Sequence, residues 1–458
     1  MHRKSDLQFL EDIYGRKSND IVLVYGDKFS DADGLIKSFI RNKDNFFYNA
    51  LPLTEEVQKE VFTSQIESVF KKNPSDIPHE NNLLYPLVSL QSDGKKVLVI
   101  NDFQHLLRIN PTYLNYLAGE IIGNSEYGSI MIILVSLDVH FVKDEMRELV
   151  GKKSYEISAS LYIKPLSFTE RIKLLGKVKD EFGRNVLSVI LGGNESFYDY
   201  DFSGDYKDFI IENILDEEGK FVNFLKMYLP DEIRAPGVYN SILYCMAKGV
   251  NKLNDLHINL NMSRSKVLVY LNTLANYNII EKCESITAGE KDDTLKGYYR
   301  IVNSSVRFYY RFIFPYSSLR LVNNKDKFYK KYIEPYLPGL LEDYYPFYCM
   351  EHIIMLEMKG KLSFEIEDMG EFFDKSKAID FVIKVKDGNY ICCGTHYDGM
   401  FMSYQKFCDI KSAVKRYKID CDNIWLFSKE GFDQKLVMTA GINPMIKLIS
   451  SKDFVDIL

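Results

Sequence analysis

No stretch of this sequence approaches the ~20 consecutive apolar residues that a membrane span requires. Its cysteines (Cys245, Cys283, Cys349, Cys392, Cys393, Cys408 and Cys421) are odd in number and lack any Cys-x-x-Cys spacing. That pattern speaks against a zinc site and fits reduced, mostly buried thiols in a cytoplasmic protein. A basic excess is missing too: the formal net charge is -6, so the whole chain is no polyanion binder, and any nucleic-acid surface must be local. Tryptophan is limited to Trp425, while tyrosine and phenylalanine are abundant enough to fill several cores. The opening MHRKSDLQFLEDIYG has basic residues but no apolar run behind them, so no secretory leader is expected. The expected compartment is the cytoplasm, with no membrane partner. Internal repeats and low-complexity tracts are absent.

What is present is a chain of 458 residues, too long for one ordinary core. Short saturated apolar runs at Ile21–Tyr25, Phe46–Tyr48, Val97–Ile100, Ile130–Val135 and Leu161–Ile163 are separated by helix-length segments. Runs apolar on both faces predict a parallel sheet covered on both sides, hence a doubly wound α/β domain over residues 1–168. Residues 169–230 read as a helical lid. Over 231–305, helices at Tyr239–Lys248 and Asn254–Leu260 precede a third opened by the N-cap Ser263. In that helix Val267, Leu271 and Leu274 form a core stripe, and a hairpin pair follows at Ile279–Ile286 and Gly297–Val302. This is the order of a winged helix. A basic, aromatic connector covers 306–335. Residues 336–458 return to α/β, with a helix at Tyr348–Met358, strands at Leu362–Ile366, Ile379–Val385 and Tyr390–Cys393, a helix at Tyr404–Tyr417, and a strand at Asn423–Phe427.

The segment IVLVYGDKFSDADGLIKSF, Ile21–Phe39, has the form strand–loop–helix. A phosphate-binding loop reads Gly-x-x-x-x-Gly-Lys-Ser/Thr, where the second glycine lets backbone wrap phosphate, lysine reaches the terminal phosphates and the hydroxyl holds magnesium. Gly26 fills the first position. The last three positions hold Asp31, Ala32 and Asp33, and carboxylates there repel a polyphosphate that amides and cations would attract. Lys28 lies on the wrong part of the loop to replace the missing lysine.

The order of motifs along nearly the whole chain resembles the archaeal-type AAA+/STAND P-loop ATPases of prokaryotes, which carry a winged helix and a C-terminal restriction-endonuclease-like domain. The frame LEDIY…YG…LIKSF is similar to the family's phosphate loop, and VLVINDFQHL to its Walker B strand. SRSKVLVYLNTLANYNIIEK resembles the winged helix and YYRIVNSSVRFYYRFIFP the exit from it. The resemblance implies that Asn101 and Asp102 stand where a magnesium ligand and a water-orienting carboxylate belong. It places Ser136-Leu137 at the end of the sensor strand, where relatives have Gly-Ser. All three positions have lost polar chemistry, so a degenerate, non-hydrolysing member is expected. No cofactor is expected, with ATP or magnesium as the alternatives.

In a winged helix the first turn of the third helix reaches DNA, which points to Arg264, Ser265 and Lys266. Lys296 and Arg300 of the wing complete the candidate DNA set. The module is near charge balance, and Leu268 and Val269 equally suit a protein contact. For the last domain the resemblance implies a metal-dependent nuclease site: Glu351 as the helix carboxylate, Asp380 as the strand carboxylate, and His396 where relatives carry lysine. Glu351 and Asp380 would be its metal ligands. The expected function is therefore a DNA- or protein-binding regulatory or scaffold factor, with a protein partner or homo-oligomer. The alternatives are a metal-dependent nuclease and an ATP-binding switch without turnover.

Overall fold

The computed structural model describes residues 3–71, 94–122, 128–151, 157–229, 234–286, 297–322, 324–373 and 376–451. The chain divides into two compact units. The first holds Met1–Leu166 with Gly193–Ser196 and Asn276–Asn278; the second holds Ser167–Gly192, Phe197–Ala275 and Ile279–Leu458. Among the described residues no helix is long and apolar enough to cross a membrane.

The first unit runs α1 (Lys4–Tyr14), β1 (Asp20–Gly26), α2 (Ala32–Ile40), β2 (Asn45–Asn49), α3 (Glu55–Phe70), β3 (Lys96–Asn101), α4 (Gln104–Ile109), α5 (Thr112–Ile122), β4 (Ile130–Ser136), α6 (Met146–Val150) and β5 (Ala159–Ile163). All strand pairings are parallel, in the order β2-β3-β4-β1-β5. The saturated strands split their side chains by parity. Ile21, Leu23, Leu98, Ile100, Ile132 and Leu134 pack into one core, while Val22, Val24, Val97, Val99, Ile133 and Val135 pack into the other with α1 and α2. Period-two alternation with both faces buried is what a helix-covered parallel sheet demands. The fold is an α/β doubly wound parallel sheet with helices on both faces. Connections leave β1 and β4 in opposite directions, so the carboxyl ends of these neighbours form a topological switch point, where such sheets bind ligands. Beneath β1, the buried Lys95 ammonium sits 2.7 Å from Asp20 and donates to the Ile13 carbonyl. Both charges thereby find partners away from water.

The second unit opens with α7 (Phe168–Leu174) and α8 (Glu181–Leu191), followed by α9 (Lys220–Lys226). Then come α10 (Pro236–Ala247), α11 (Leu253–Asn259), α12 (Arg264–Asn276) and an antiparallel ladder of β6 (Ile280–Cys283) with β7 (Tyr298–Ile301). Val267, Leu271 and Leu274 of α12 are fully buried. After α13 (Ser304–Phe308) and α14 (Lys325–Tyr332), the aromatic connector proves to be core: Tyr309, Tyr310, Phe312, Phe328 and Tyr329 are all buried. Several of its cations face carboxylates as well, Arg307 with Asp343, Arg320 with Glu217 and Lys330 with Asp326.

The remainder is α15 (Leu337–Met358), β8 (Ile366–Glu371), β9 (Phe381–Val385), β10 (Tyr390–His396), α16 (Tyr404–Tyr417), β11 (Cys421–Ser428), α17 (Gln434–Ile442) and β12 (Ile446–Ser450). The sheet order is β12-β11-β10-β9-β8, antiparallel from β8 to β10 and parallel from β10 to β12. The first strand lies later than the expected Leu362–Ile366. It runs through acidic residues because it is an edge strand, and Lys384 on β9 meets Glu367 across the pair. Helix α15 also begins well before Tyr348, since Pro346 forfeits one hydrogen bond without ending it.

Candidate functional site

At the switch point, the turn from β1 to α2 is closed by its own side chains. The Asp27 carboxylate accepts the backbone N–H groups of Phe29 at 2.8 Å and Ser30 at 3.1 Å. The Ser30 hydroxyl donates back to the Asp27 carbonyl at 2.6 Å. Asp31 caps α2 by accepting the N–H of Gly34 at 3.1 Å. Phe29 is turned inward and fully buried. Gly26 permits this closure, because a Cβ there would lie 2.1 Å from the Ser30 hydroxyl. The backbone N–H groups of Phe29, Ser30 and Gly34 are thus each bonded to a carboxylate of the turn itself. Burial pushes the Asp27 carboxyl pKa up, against the two N–H bonds and the charge of Arg3.

Asp102 follows β3 in a left-handed backbone conformation, φ 51. It accepts from Asn101 Nδ2 and Gln104 Nε2, both at 3.2 Å. Burial raises its pKa; the Gln104 bond and His105 oppose this, the Asp33 charge adds to it, and Lys28 lowers it. The fold thus brings Lys28, Asp33 and Asp102 into electrostatic range of one another. Asn101 donates to Asn49 Oδ1 at 2.7 Å and is nearly buried. Ala32 is buried in the first turn of α2. Ser136 is fully buried, its hydroxyl accepting the Asp138 N–H.

On α12, Arg264, Ser265 and Lys266 are exposed, and Ser263 accepts the Lys266 N–H at 3.4 Å. Val269 beside them is 63% exposed. Arg300 is differently placed from the expected DNA contact. It binds Glu281 at 2.9 Å and Glu371 at 2.6 Å, and lies 4.3 Å over the Phe347 ring. Its charge is spent within the protein. Lys296 lies outside the described residues.

The C-terminal candidates do not converge. Glu351 accepts the N–H groups of Phe168 at 2.9 Å and Thr169 at 3.1 Å, the free donors at the start of α7. Two positions earlier on α15, Cys349 is the residue that feels Asp380, whose charge adds to burial in raising the thiol pKa. Residues two apart on a helix face different ways, so Glu351 is turned from the strand carboxylate. Asp380 accepts Thr395 N–H at 2.6 Å, the Thr395 hydroxyl at 3.2 Å and the Lys406 ammonium at 3.1 Å. Gly394 makes room for Lys406, whose Cε would be 3.1 Å from a Cβ at that position. Lys406 was not expected; it comes from α16, and sequence spacing gives no sign of it. His396 Nε2 sits 2.8 Å from Asp398. Among the described residues, no group of three or more His, Cys, Asp or Glu side chains is arranged to hold a metal ion.

The second unit also contains a cavity of about 550 Å³ walled by Phe168, Tyr345, Tyr348 and Tyr397.

Residues 309–400 match the DUF234 family, described as "Archaea bacterial proteins of unknown function". An uncharacterized protein of Methanocaldococcus jannaschii, MJECL04, is 22% identical over 396 residues, covering 83% of each chain. Among solved structures, the Walker-type ATPase of Pyrococcus abyssi, paby2304, is similar with a TM-score of 0.46 and 16% identity, covering 68% of this chain and 95% of that one. The Aeropyrum pernix ORC2 protein, solved with ADPNP and ADP, gives 0.42 and 12%, covering 72% and 94%.

Proposed function

We propose that this protein is a non-hydrolysing member of the P-loop ATPase group that works by binding, as a regulatory or scaffold factor for DNA, a protein partner or a second copy of itself. The observation that carries this reading is the self-closed turn at the switch point. Asp27 and Asp31 occupy the N–H groups of Phe29, Ser30 and Gly34 that a nucleotide phosphate would need. Displacing them would bring a polyphosphate up against the charges of Asp31 and Asp33 as well. Neither ATP nor magnesium is then needed for function. Purified protein should release no phosphate from ATP above the level of an Asp102→Ala variant, and ATP should not raise the melting midpoint. ATP turnover abolished by Asp102→Ala would overturn the reading.

For the binding activity, the outer face of α12 is the favoured surface, read as the recognition helix of a winged helix. Arg264 and Lys266 offer phosphate contacts, whereas the exposed Val269 and half-exposed Leu268 favour an apolar partner. Duplex binding that weakens steeply with salt and is lost on Arg264→Glu/Lys266→Glu would assign the surface to DNA. Salt-insensitive association lost on Val269→Asp would assign it to protein.

A second reading is a metal-dependent nuclease, and one contact favours it. Lys406 supplies an ammonium at Asp380 in place of the missing strand lysine. In that reading Asp380 would hold the ion and His396 would assist, while Glu351 would have to leave α7. Magnesium-dependent DNA cleavage abolished by Asp380→Ala would establish it.

A further inference from the structure

Neither the turn at the switch point nor the Asp380 cluster uses the cavity of about 550 Å³ in the second unit, a volume within the range of small-molecule sites. Its walls are aromatic. Tyr345, Tyr348 and Tyr397 are 3%, 5% and 6% exposed, Tyr348 stacks on Phe168 at 3.6 Å, and Tyr345 leans on Tyr397 at 5.1 Å. A wall of this kind accepts the face of a planar ring.

Polar groups are set at defined places on it. Asn185 Nδ2 donates to the Tyr397 hydroxyl at 2.9 Å, which fixes the amide and leaves its carbonyl as an acceptor and the phenolic proton as a donor. Arg184 donates through Nε and Nη2 to the Val178 carbonyl, at 3.2 and 2.9 Å, which holds the guanidinium without neutralising it. Lys429 lies between Glu181 at 2.7 Å and Glu430 at 3.8 Å, so that trio carries one net negative charge. Lys179 and Arg184 outweigh it, and the lining as a whole is cationic by one charge. Aromatic walls, a bonded amide–phenol pair among them and two cations in the lining match a base, its polar edge and a phosphate.

We propose that this cavity binds a nucleoside monophosphate unit, with the base against the tyrosines, its edge read by Asn185 and Tyr397, and the phosphate met by Lys179 and Arg184. The unit can be a free nucleotide or the phosphorylated end of a strand. The inference is independent of the closed turn in the first unit, since no residue of that turn takes part.

The test titrates the full chain with the common nucleoside monophosphates, with inorganic phosphate as a probe lacking the base, and with a single strand carrying a terminal phosphate. Binding is read by calorimetry. At least one mononucleotide should bind with a submillimolar Kd while phosphate alone does not. Lys179→Glu should weaken that binding by about tenfold or more. Ile172→Trp, which fills the cavity from α7, should abolish it while the melting midpoint is kept. A strand that outcompetes the mononucleotide, and is also lost on Ile172→Trp, assigns the site to strand ends. Failure of every nucleotide and strand to bind at millimolar concentration overturns the proposal, as does binding that survives Ile172→Trp. Should Ile172→Trp fail to fold, unchanged affinity in Lys179→Glu, a substitution at an exposed position, overturns it equally.

Discussion

The turn between β1 and α2 and the cluster around Asp380 are the two places where the family resemblance puts reactive machinery, and each carries acidic residues. They differ in what the carboxylates hold. Asp27 and Asp31 are bonded to backbone N–H groups of their own turn, whereas Asp380 divides itself between the Thr395 N–H, the Thr395 hydroxyl and the ammonium of Lys406. Backbone donors are fixed, and once satisfied from within they are closed to an incoming anion. A lysine on a flexible stem can move, so its partner stays available to exchange. Glu351 belongs with the first kind, since it serves the N–H groups at the start of α7. The contrast separates carboxylates held by backbone donors alone from one that shares its oxygen with a movable cation.

The largest expected effect comes from breaking a structural member. Glu351→Ala strips two backbone N–H groups of their acceptor and should cost about 2 kcal/mol in chemical denaturation. Glu351→Gln keeps an acceptor and should recover most of that loss. A Glu351→Ala protein with unchanged stability would return this residue to the pool of free carboxylates.

Next in size is Asp27→Ala, which takes the carboxylate from the N–H groups of Phe29 and Ser30, the latter keeping the Asp27 carbonyl at 3.0 Å, while removing a carboxylate that is costly to bury. The net loss should be about 1 kcal/mol. Reopening the donors also sharpens the comparison. If the self-closed turn is what excludes phosphate, this variant should gain weak stabilisation by ATP that the natural chain lacks. Absence of any gain would shift the blame to Asp31 and Asp33.

Much of this contrast was illegible in the sequence. The parallel sheet was readable because Ile21–Tyr25, Val97–Ile100 and Ile130–Val135 are apolar at every step, which only a strand buried on both faces explains. The stripe Val267, Leu271, Leu274 was readable for the same reason at helical spacing. By contrast α17 and β12 went unrecognised: α17 leaves Val437, Met438 and Ile442 exposed, so its apolar residues mark no buried face. Edge strand β8 is acidic and gives no strand signal. At the sites, Asp31 and Asp33 drew attention as motif positions, but closure rests equally on Asp27, whose role depends on the backbone path and not on residue type. Lys406 reaches Asp380 across 26 positions from another element, and nothing local announces it. Glu351 and Cys349 differ by two positions, yet that step decides which of them faces the sheet.

A smaller effect, dependent on pH, belongs to Asp102. Its folded pKa is raised, chiefly by burial. The folded state therefore holds this proton more tightly than the unfolded chain does. Between the ordinary aspartate range and the raised value, stability falls as pH rises, and above both the full penalty remains. Asp102→Asn should consequently be more stable than the natural protein at neutral pH, and the difference should shrink as pH drops through the folded value and vanish below the ordinary one. Melting midpoints of the two proteins across that range check the sign. A variant that is less stable at neutral pH would mean that Lys28 and the Gln104 bond outweigh burial.

The smallest effect is the one that bears hardest on the comparison. The Asp380–Lys406 pair is partly open to water, each side chain 24% exposed, so a double-mutant cycle of Asp380→Asn and Lys406→Met should give a coupling of only about 0.5–1 kcal/mol. A weak coupling means the two charges are not locked together for stability, and that Lys406 is free to meet another anion. If coupling instead reaches the several kcal/mol of a buried pair, Asp380 is held no less firmly than Asp27 and Glu351, and the distinction between the two regions disappears. Measured alongside magnesium-dependent cleavage, the cycle also ranks the two functional readings. Weak coupling with cleavage lost in Asp380→Asn supports the nuclease. Weak coupling with no cleavage in the natural chain leaves a binding protein whose one exchangeable ion pair does no chemistry.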